Sequence, residues 1–158
     1  MAEYNSWANA RLYRMAEALS DEQYRRDTGV YFKSLHATLN HIMVADLIWM
    51  HRLTGEGRLP TRLNEIIADE LDALGAERRQ QDERIHAYVA GLSEAQFDEG
   101  WEFRTLTGVV KRQLRRETLA HLFNHQTHHR GQAHAALTLL GVAEPESLDV
   151  AAMLFARS

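Results

Sequence analysis

The sequence predicts an all-α protein: a four-helix bundle with a short extended ribbon between its third and fourth long helices and a short C-terminal helix. Apolar residues recur at steps of three and four along four long segments, which is the period of a helix with one buried face. Two prolines, Pro60 and Pro145, are all that the 158 residues contain, so long helices are free to form. Four apolar stripes joined by short connections are buried most simply against one another in a bundle.

The first three predicted helices differ in how their apolar residues are distributed. The first helix, Glu3 to Leu19, has a single apolar face. The second, about Ser34 to Leu53, is apolar on more than one side, so we expect it to be the most buried helix. The third, about Arg62 to Leu92, combines one apolar stripe with many charges, Arg78 and Asp82 among them, which predicts a solvated outer face.

The residue composition changes after the third predicted helix, before a fourth helical segment begins. Aromatic and β-branched residues around Gly108 predict an extended ribbon or long loop from Trp101 to Val110. The fourth helix, about Leu114 to Leu140, ends at Gly141, which fits a C-cap. A short C-terminal helix is expected from Ser147 to Ala156.

Composition narrows the class of protein. We expect residues 1–158 to form one domain, because this length suffices for a single hydrophobic core. The net charge of −4 argues against nucleic acid as a partner. The absence of cysteine excludes disulfides, thiolate zinc sites and a cysteine nucleophile. No apolar segment approaches the roughly 20 residues of a membrane span, and no signal peptide is evident, so we expect a cytoplasmic protein without a membrane partner.

The fourth helix concentrates histidine on one side. Five polar residues lie within about 100° of arc on this helix: His121, His125, His128, His129 and Gln132. Imidazoles four residues apart on a helix are able to bind one metal ion. His125 and His129 have this spacing, and so do His121 and His125. His125 and His128, three residues apart, form a further candidate pair, and geometry alone leaves the choice open.

A further ligand has to come from another helix, and His41 on the second helix is the candidate. It lies on an apolar arc, where a lone histidine is more often a hydrogen-bonded core residue than a ligand. His36 lies about 140° around the same helix, so we do not expect it to share an ion with His41. His86 and His134 are expected at the surface.

The ligand types favour particular metals. Three histidines without a carboxylate leave the full charge on the ion, which favours zinc or nickel, with iron, manganese or copper as further options. They also leave coordination positions open, as in catalytic sites. A di-iron carboxylate bundle needs two Glu-x-x-His motifs and two further glutamates, whereas this chain has one such motif, at Glu83 to His86. The His-Glu-x-x-His motif of zincin proteases is also missing.

Three sequence blocks resemble the DinB family of DinB/YfiT-like metalloenzymes. They are YNSWAN at 4–9, LNHIMVADLIWMHR at 39–52 and HLFNHQTHHRGQ at 121–132. Together the blocks run over most of the chain, and the last is the most specific. The resemblance implies a bundle with an up-down-down-up path and a homodimer.

The resemblance also selects among the histidines. It implies that His41, His125 and His129 hold the metal, so that His121 and His128 become neighbours of the ligands. Arg130 projects about 100° from His129 and therefore away from the ion. We expect it to pair with a neighbouring helix or subunit.

The expected function is metal-dependent chemistry on a small molecule. Relatives in the wider superfamily resemble thiol-dependent transferases, so we expect transfer that uses a low-molecular-weight thiol, or else hydrolysis. Gln132 is the candidate contact for substrate or water, and Tyr4, Trp7 and Asn9 are expected at the mouth of the pocket. The alternative is a non-catalytic module, either a metal-dependent small-molecule binder or a stress-response interaction protein.

Overall fold

The computed structural model describes residues 1–156, so the last two residues of the predicted domain lie outside it. The helices are α1 (Ala2–Ala16), α2 (Asp21–Arg25), α3 (Leu35–Thr54), α4 (Leu71–Ala90), α5 (Glu94–Phe97), α6 (Arg115–Leu139) and α7 (Val150–Phe155). Strands β1 (Gly100–Arg104) and β2 (Val110–Leu114) lie between α5 and α6. Within residues 1–156, no helix combines the length and the apolar character that crossing a membrane requires.

The four long helices pack against one another in pairs. Helix α1 packs against α4 and α6, and α3 packs against the same two helices. Their fully buried apolar side chains form the main core, which includes Leu12, Leu39, Met43, Leu74 and Leu137. Most of α3 is buried, as predicted. The mostly helical fold with a small ribbon is therefore confirmed, whereas the four-helix bundle with an up-down-down-up path stays a prediction.

The third long helix is shorter than predicted. It begins at Leu71 instead of Arg62, and residues 62–70 are irregular. Asn40 explains part of the difference, because its Oδ1 accepts hydrogen bonds from the backbone N–H groups of Ile67 (2.7 Å) and Ala68 (3.2 Å). A side chain of α3 thus binds backbone donors that a helix would have used. The segment lies across α3, close to the predicted metal ligand of that helix.

The predicted ribbon is an antiparallel hairpin, slightly longer than expected. Strand β1 pairs with β2 in a register that sets Trp101 opposite Gln113 and Phe103 opposite Lys111. The rings of Trp101 and Phe103 stack with centroids 5.0 Å apart. Phe103 also packs edge-on against Trp49 of α3, at 5.1 Å between centroids. The hairpin therefore covers the C-terminal half of α3.

A buried polar network occupies the centre of the helix packing. Its members come from all four long helices: Asn5, Asn9, Asp46, Arg78, Asp82, Gln126 and Arg130. Arg78 donates to Asp46 at 2.7 Å and pairs with Asp82 at 3.0 Å. These three charged residues are at most 7% exposed. Placing Arg78 and Asp82 on a solvated face was therefore wrong, because each is buried with a partner of opposite charge.

The same network fixes α6 in rotation. Gln126 donates from Nε2 to Asp46 Oδ2. Arg130 donates from Nη1 to the side-chain oxygens of Asn5 and of Asn9 on α1. The prediction that Arg130 pairs with a neighbouring helix is confirmed. Because Gln126 and Arg130 point into the buried network, the residues that precede each of them point about 100° away, toward α3 and the solvent.

Candidate metal centre

Three histidines from two helices converge beside α3. His41 comes from α3, and His125 and His129 come from successive turns of α6. One nitrogen of each ring lies within 4.8 Å of the corresponding nitrogens of the other two. Among residues 1–156 this is the group whose geometry suits a metal ion. The three residues are those that the family resemblance implies, and the structure brings them together.

The hydrogen bond of His41 fixes which of its nitrogens is available. Nδ1 lies 2.8 Å from the backbone oxygen of Leu63. A carbonyl oxygen only accepts, so Nδ1 carries the proton and Nε2 keeps its lone pair. This Nε2 lies 3.2 Å from Nε2 of His125. The irregular segment 62–70 thus orients a candidate ligand, as backbone carbonyls commonly do for metal-bound histidines.

His129 is oriented by a side chain of its own helix. Its Nδ1 lies 2.8 Å from Oε1 of Gln132, which accepts the ring proton and leaves Nε2 with a lone pair. Gln132 Nε2 in turn lies 3.2 Å from Nε2 of His128, so the amide also donates to the neighbouring ring. Gln132 therefore positions a candidate ligand, in addition to lining the cavity as the predicted contact for substrate or water.

The environment keeps the three rings neutral. Burial lowers the pKa of His41, of His125 and of His129. The pKa of His125 falls to about 3, because burial and then the neighbouring imidazoles disfavour its charged form. The Nδ1 atom of His125 is buried and has no hydrogen-bond partner in the described part of the chain. Neutral rings with nitrogens facing one another fit a divalent ion.

The three rings face a cavity of about 530 Å³. Loop residues form the remaining wall: Tyr31, Phe32, Leu63 and Asn64. Phe32 stacks on the ring of His41 with centroids 3.9 Å apart and packs edge-on against His129 at 5.6 Å. No carboxylate lines this cavity among residues 1–156. An ion held here would keep its full positive charge and open coordination positions toward the cavity.

Comparison with known proteins identifies the family of this chain. The model of the DinB family matches residues 1–156. This chain belongs to the DinB family. Its relatives include Protein DinB of Bacillus subtilis (strain 168), 26% identical over 148 residues that span 89% of this chain and 84% of that protein. A solved structure, described as the conserved protein of locus from Enterococcus faecalis, superposes with a TM-score of 0.68 at 13% identity, over 88% of this chain and 94% of that one. At that identity the likeness shows the fold alone.

The other histidines of this DinB-family chain lie where the sequence placed them, with one exception. His121 is exposed and has its ring 5.9 Å from that of His125, whereas His128 lies at the cavity wall. His86 is exposed on α4, as predicted. His134 is the exception, because it is half-buried and its Nε2 contacts the backbone oxygen of Glu146 at 3.1 Å.

The prediction that Tyr4, Trp7 and Asn9 form the mouth of the pocket was wrong. Tyr4 bonds to the backbone oxygen of Leu148, and Asn9 belongs to the buried network. Trp7 packs in a separate apolar cluster. The mouth is formed by Tyr31 and the other loop residues instead. The aromatic pair at 31–32 stands directly before the start of α3, two helical turns ahead of His41, and that proximity was the signal available in the sequence.

Replacing Gln132 with alanine is expected to weaken metal binding about tenfold, because residues that orient a ligand ring typically contribute this much to affinity. The measurement is competition with a chromogenic chelator for zinc on metal-stripped protein. Gln80→Ala, an exposed glutamine on α4, is the matched control and should bind as the wild type does. Equal affinity in the two variants would mean that the bond from His129 to Gln132 does not support the site.

Proposed function

We propose that this protein is a metal-dependent enzyme whose His41, His125 and His129 hold one divalent ion, zinc or nickel. The observation that carries the proposal is a set of three neutral imidazoles. One nitrogen of each ring lies within 4.8 Å of a nitrogen of each other ring, and the rings face an open cavity whose described lining has no carboxylate. Neutral nitrogen ligands suit zinc and nickel. The open cavity supports catalysis more than a structural role, because structural zinc sites are closed by four protein ligands.

The chemistry proposed for the site is transfer to or from a small molecule with the help of a low-molecular-weight thiol. A divalent ion with open positions lowers the pKa of a thiol or of water that binds there, so that either is ionised near neutral pH. In the transfer, the thiol proton leaves to solvent and the sulfur forms a bond to an electrophilic carbon. The bond from that carbon to its leaving group breaks, and the leaving group keeps the electron pair.

The residues around the ion supply the remaining requirements. Phe32 and Leu63 give the cavity apolar walls that hold a small organic substrate and exclude water. Asn64 and the amide of Gln132 offer polar contacts at the wall. Hydrolysis is the second reaction that this arrangement supports, with water in place of the thiol.

A non-catalytic module is the alternative, and one observation favours it. The cavity wall offers no aspartate or glutamate to act as a general acid or base, within the part of the chain that the structure describes. A metal-dependent small-molecule binder or a stress-response interaction protein needs none. Such a protein would hold the ion and turn nothing over.

We further propose a homodimer of single-domain, up-down-down-up bundles in the cytoplasm. Exposed apolar side chains on the C-terminal helix support the dimer, since Val150, Leu154 and Phe155 are 46%, 53% and 76% exposed.

The deciding experiment compares wild type and His125→Ala, each incubated with zinc or nickel. A chromogenic haloarene with glutathione tests thiol transfer, and a nitrophenyl ester without thiol tests hydrolysis. We expect metal-dependent and thiol-dependent release of halide by wild type only. Ester hydrolysis without thiol by wild type only would assign the hydrolase instead. Metal binding without either reaction would contradict both assignments and favour the binding module.

A further inference from the structure

A second cavity, of about 460 Å³, lies between the C-terminal turn of α3 and the hairpin. Its wall combines two arginines with apolar side chains and includes Arg52, Leu59, Phe103, Arg104, Thr105 and Leu106. No acidic residue of the range 1–156 lines it. The cavity is therefore positively charged with apolar surfaces, and its volume lies in the range of small-molecule sites.

Arg52 is the unusual residue of this cavity. Its Cζ lies 4.6 Å from the ring centroid of Trp49 and 5.2 Å from that of Phe103. Burial lowers the pKa of the guanidinium. No carboxylate or other acceptor within residues 1–156 pairs with it, although Arg84 and Arg115, also partly buried, both donate to oxygen atoms. Arg52 thus loses hydration without gaining an anionic partner.

The aromatic contacts explain where the guanidinium of Arg52 lies, but they provide no acceptor for its N–H donors. Stacking uses the flat faces of the group, and the N–H donors point outward from its edge. The C-terminal end of α3 also favours a cation at this place, yet that effect needs no cavity. A planar fork of donors, pre-oriented by two rings at the wall of a cavity, is the arrangement that binds a carboxylate.

We propose that this cavity binds a small organic anion, with Arg52 donating to a terminal carboxylate and Leu59, Phe103 and Leu106 contacting an apolar body. The site is separate from the three histidines and stands whether or not the proposed metal chemistry does. It is nevertheless close to them. The ring of His121 lies 5.0 Å from that of Trp49 and 5.9 Å from that of His125, so a line of ring contacts runs from Trp49, which Arg52 contacts, to the metal centre.

The test is isothermal titration of metal-free, full-length protein with phenylbutyrate, with the neutral phenylbutyramide and with inorganic phosphate. The variants are Arg52→Gln and the matched control Arg79→Gln, an exposed arginine on α4. We expect Arg52→Gln to bind phenylbutyrate about tenfold more weakly than the wild type, because a charge-assisted bond is lost. Arg79→Gln should bind as the wild type does. For the wild type, the amide and phosphate should each bind about tenfold more weakly than phenylbutyrate.

Three results would overturn the proposal: acid and amide binding alike, phosphate binding as tightly as the acid, or equal binding by the two glutamine variants. Leu106→Glu is a second variant that does not depend on the stacking of Arg52, since Leu106 is 42% exposed in the hairpin loop. It should weaken binding of the acid more than that of the amide, because both ligands lose an apolar contact and the new carboxylate also repels the acid. Binding should also persist in His125→Ala, which separates this site from the metal centre.

Discussion

Replacing His125 with alanine is expected to empty the metal centre and to leave the fold intact. The three rings form a triangle, in which the centroid of His125 lies 5.1 Å from that of His41 and 4.3 Å from that of His129. Its loss leaves two nitrogens, and a divalent ion held by two neutral ligands exchanges readily with solvent. Metal content measured by mass spectrometry on tag-free protein should fall from about one ion per chain to near zero.

His86→Ala is the matched control for this experiment. His86 is an exposed histidine on α4, so its removal alters the histidine count without touching the cluster. It should retain the full metal content, and both variants should show the helical circular dichroism of the wild type. A wild-type protein that stays empty after incubation with several divalent metals would contradict the site itself. The three histidines would then be polar residues at the contact between α3 and α6, without a role in metal binding.

The sequence predicted those parts of the site that depend on the spacing within one helix. The separation of His125 from His129 ensures that both rings leave α6 on the same side, whatever the rest of the chain does. Assigning His41 as the partner needed the family resemblance, because the spacing within one helix does not reveal which residue of another helix faces it. The position of the histidines on one side of α6 therefore followed from their spacing in the sequence, whereas the choice of three ligands rested on the family resemblance.

The parts that the sequence did not predict depend on tertiary contacts. Helical periodicity continued through residues 62–70, but Asn40 binds the backbone of that segment and holds it outside any helix. Arg78 and Asp82 follow the same charge pattern as their exposed neighbours. Partners on other helices make their burial favourable, Asp46 of α3 for Arg78 and Asn9 of α1 for Asp82, and a pattern along one helix carries no information about them.

Consecutive residues of α6 serve the two polar regions of the molecule. His125 and His129 face the cavity, while Gln126 and Arg130, one position later in each case, bond into the buried network. A rotation of α6 large enough to displace the histidines would break both anchors at once. The network therefore holds the candidate ligands in place from the interior of the protein, at a distance from the cavity.

Replacing Asp46 with alanine is expected to destabilise the protein by about 3 kcal/mol, since removing a partner from a buried ion pair is strongly destabilising, even though Arg78 keeps its pairing with Asp82. Asp46 is 1% exposed and accepts from both Arg78 and Gln126. The measurement is urea unfolding of metal-free protein at neutral pH. Metal affinity should fall as well, because Gln126 loses the acceptor that helps to hold α6 in rotation.

Asp98→Ala tests whether burial is the cause. Asp98 pairs with Arg116 at 2.6 Å, but the two side chains are 64% and 57% exposed. Water competes for both charges, so Asp98→Ala should lower the free energy of unfolding by about 0.5 kcal/mol or less. Similar losses in the Asp46 and Asp98 variants would show that the central network does not stabilise the bundle. If Asp46→Ala lost much stability but kept its zinc affinity, the network would stabilise the fold without orienting the ligands. Packing between α3 and α6 alone would then position the histidines.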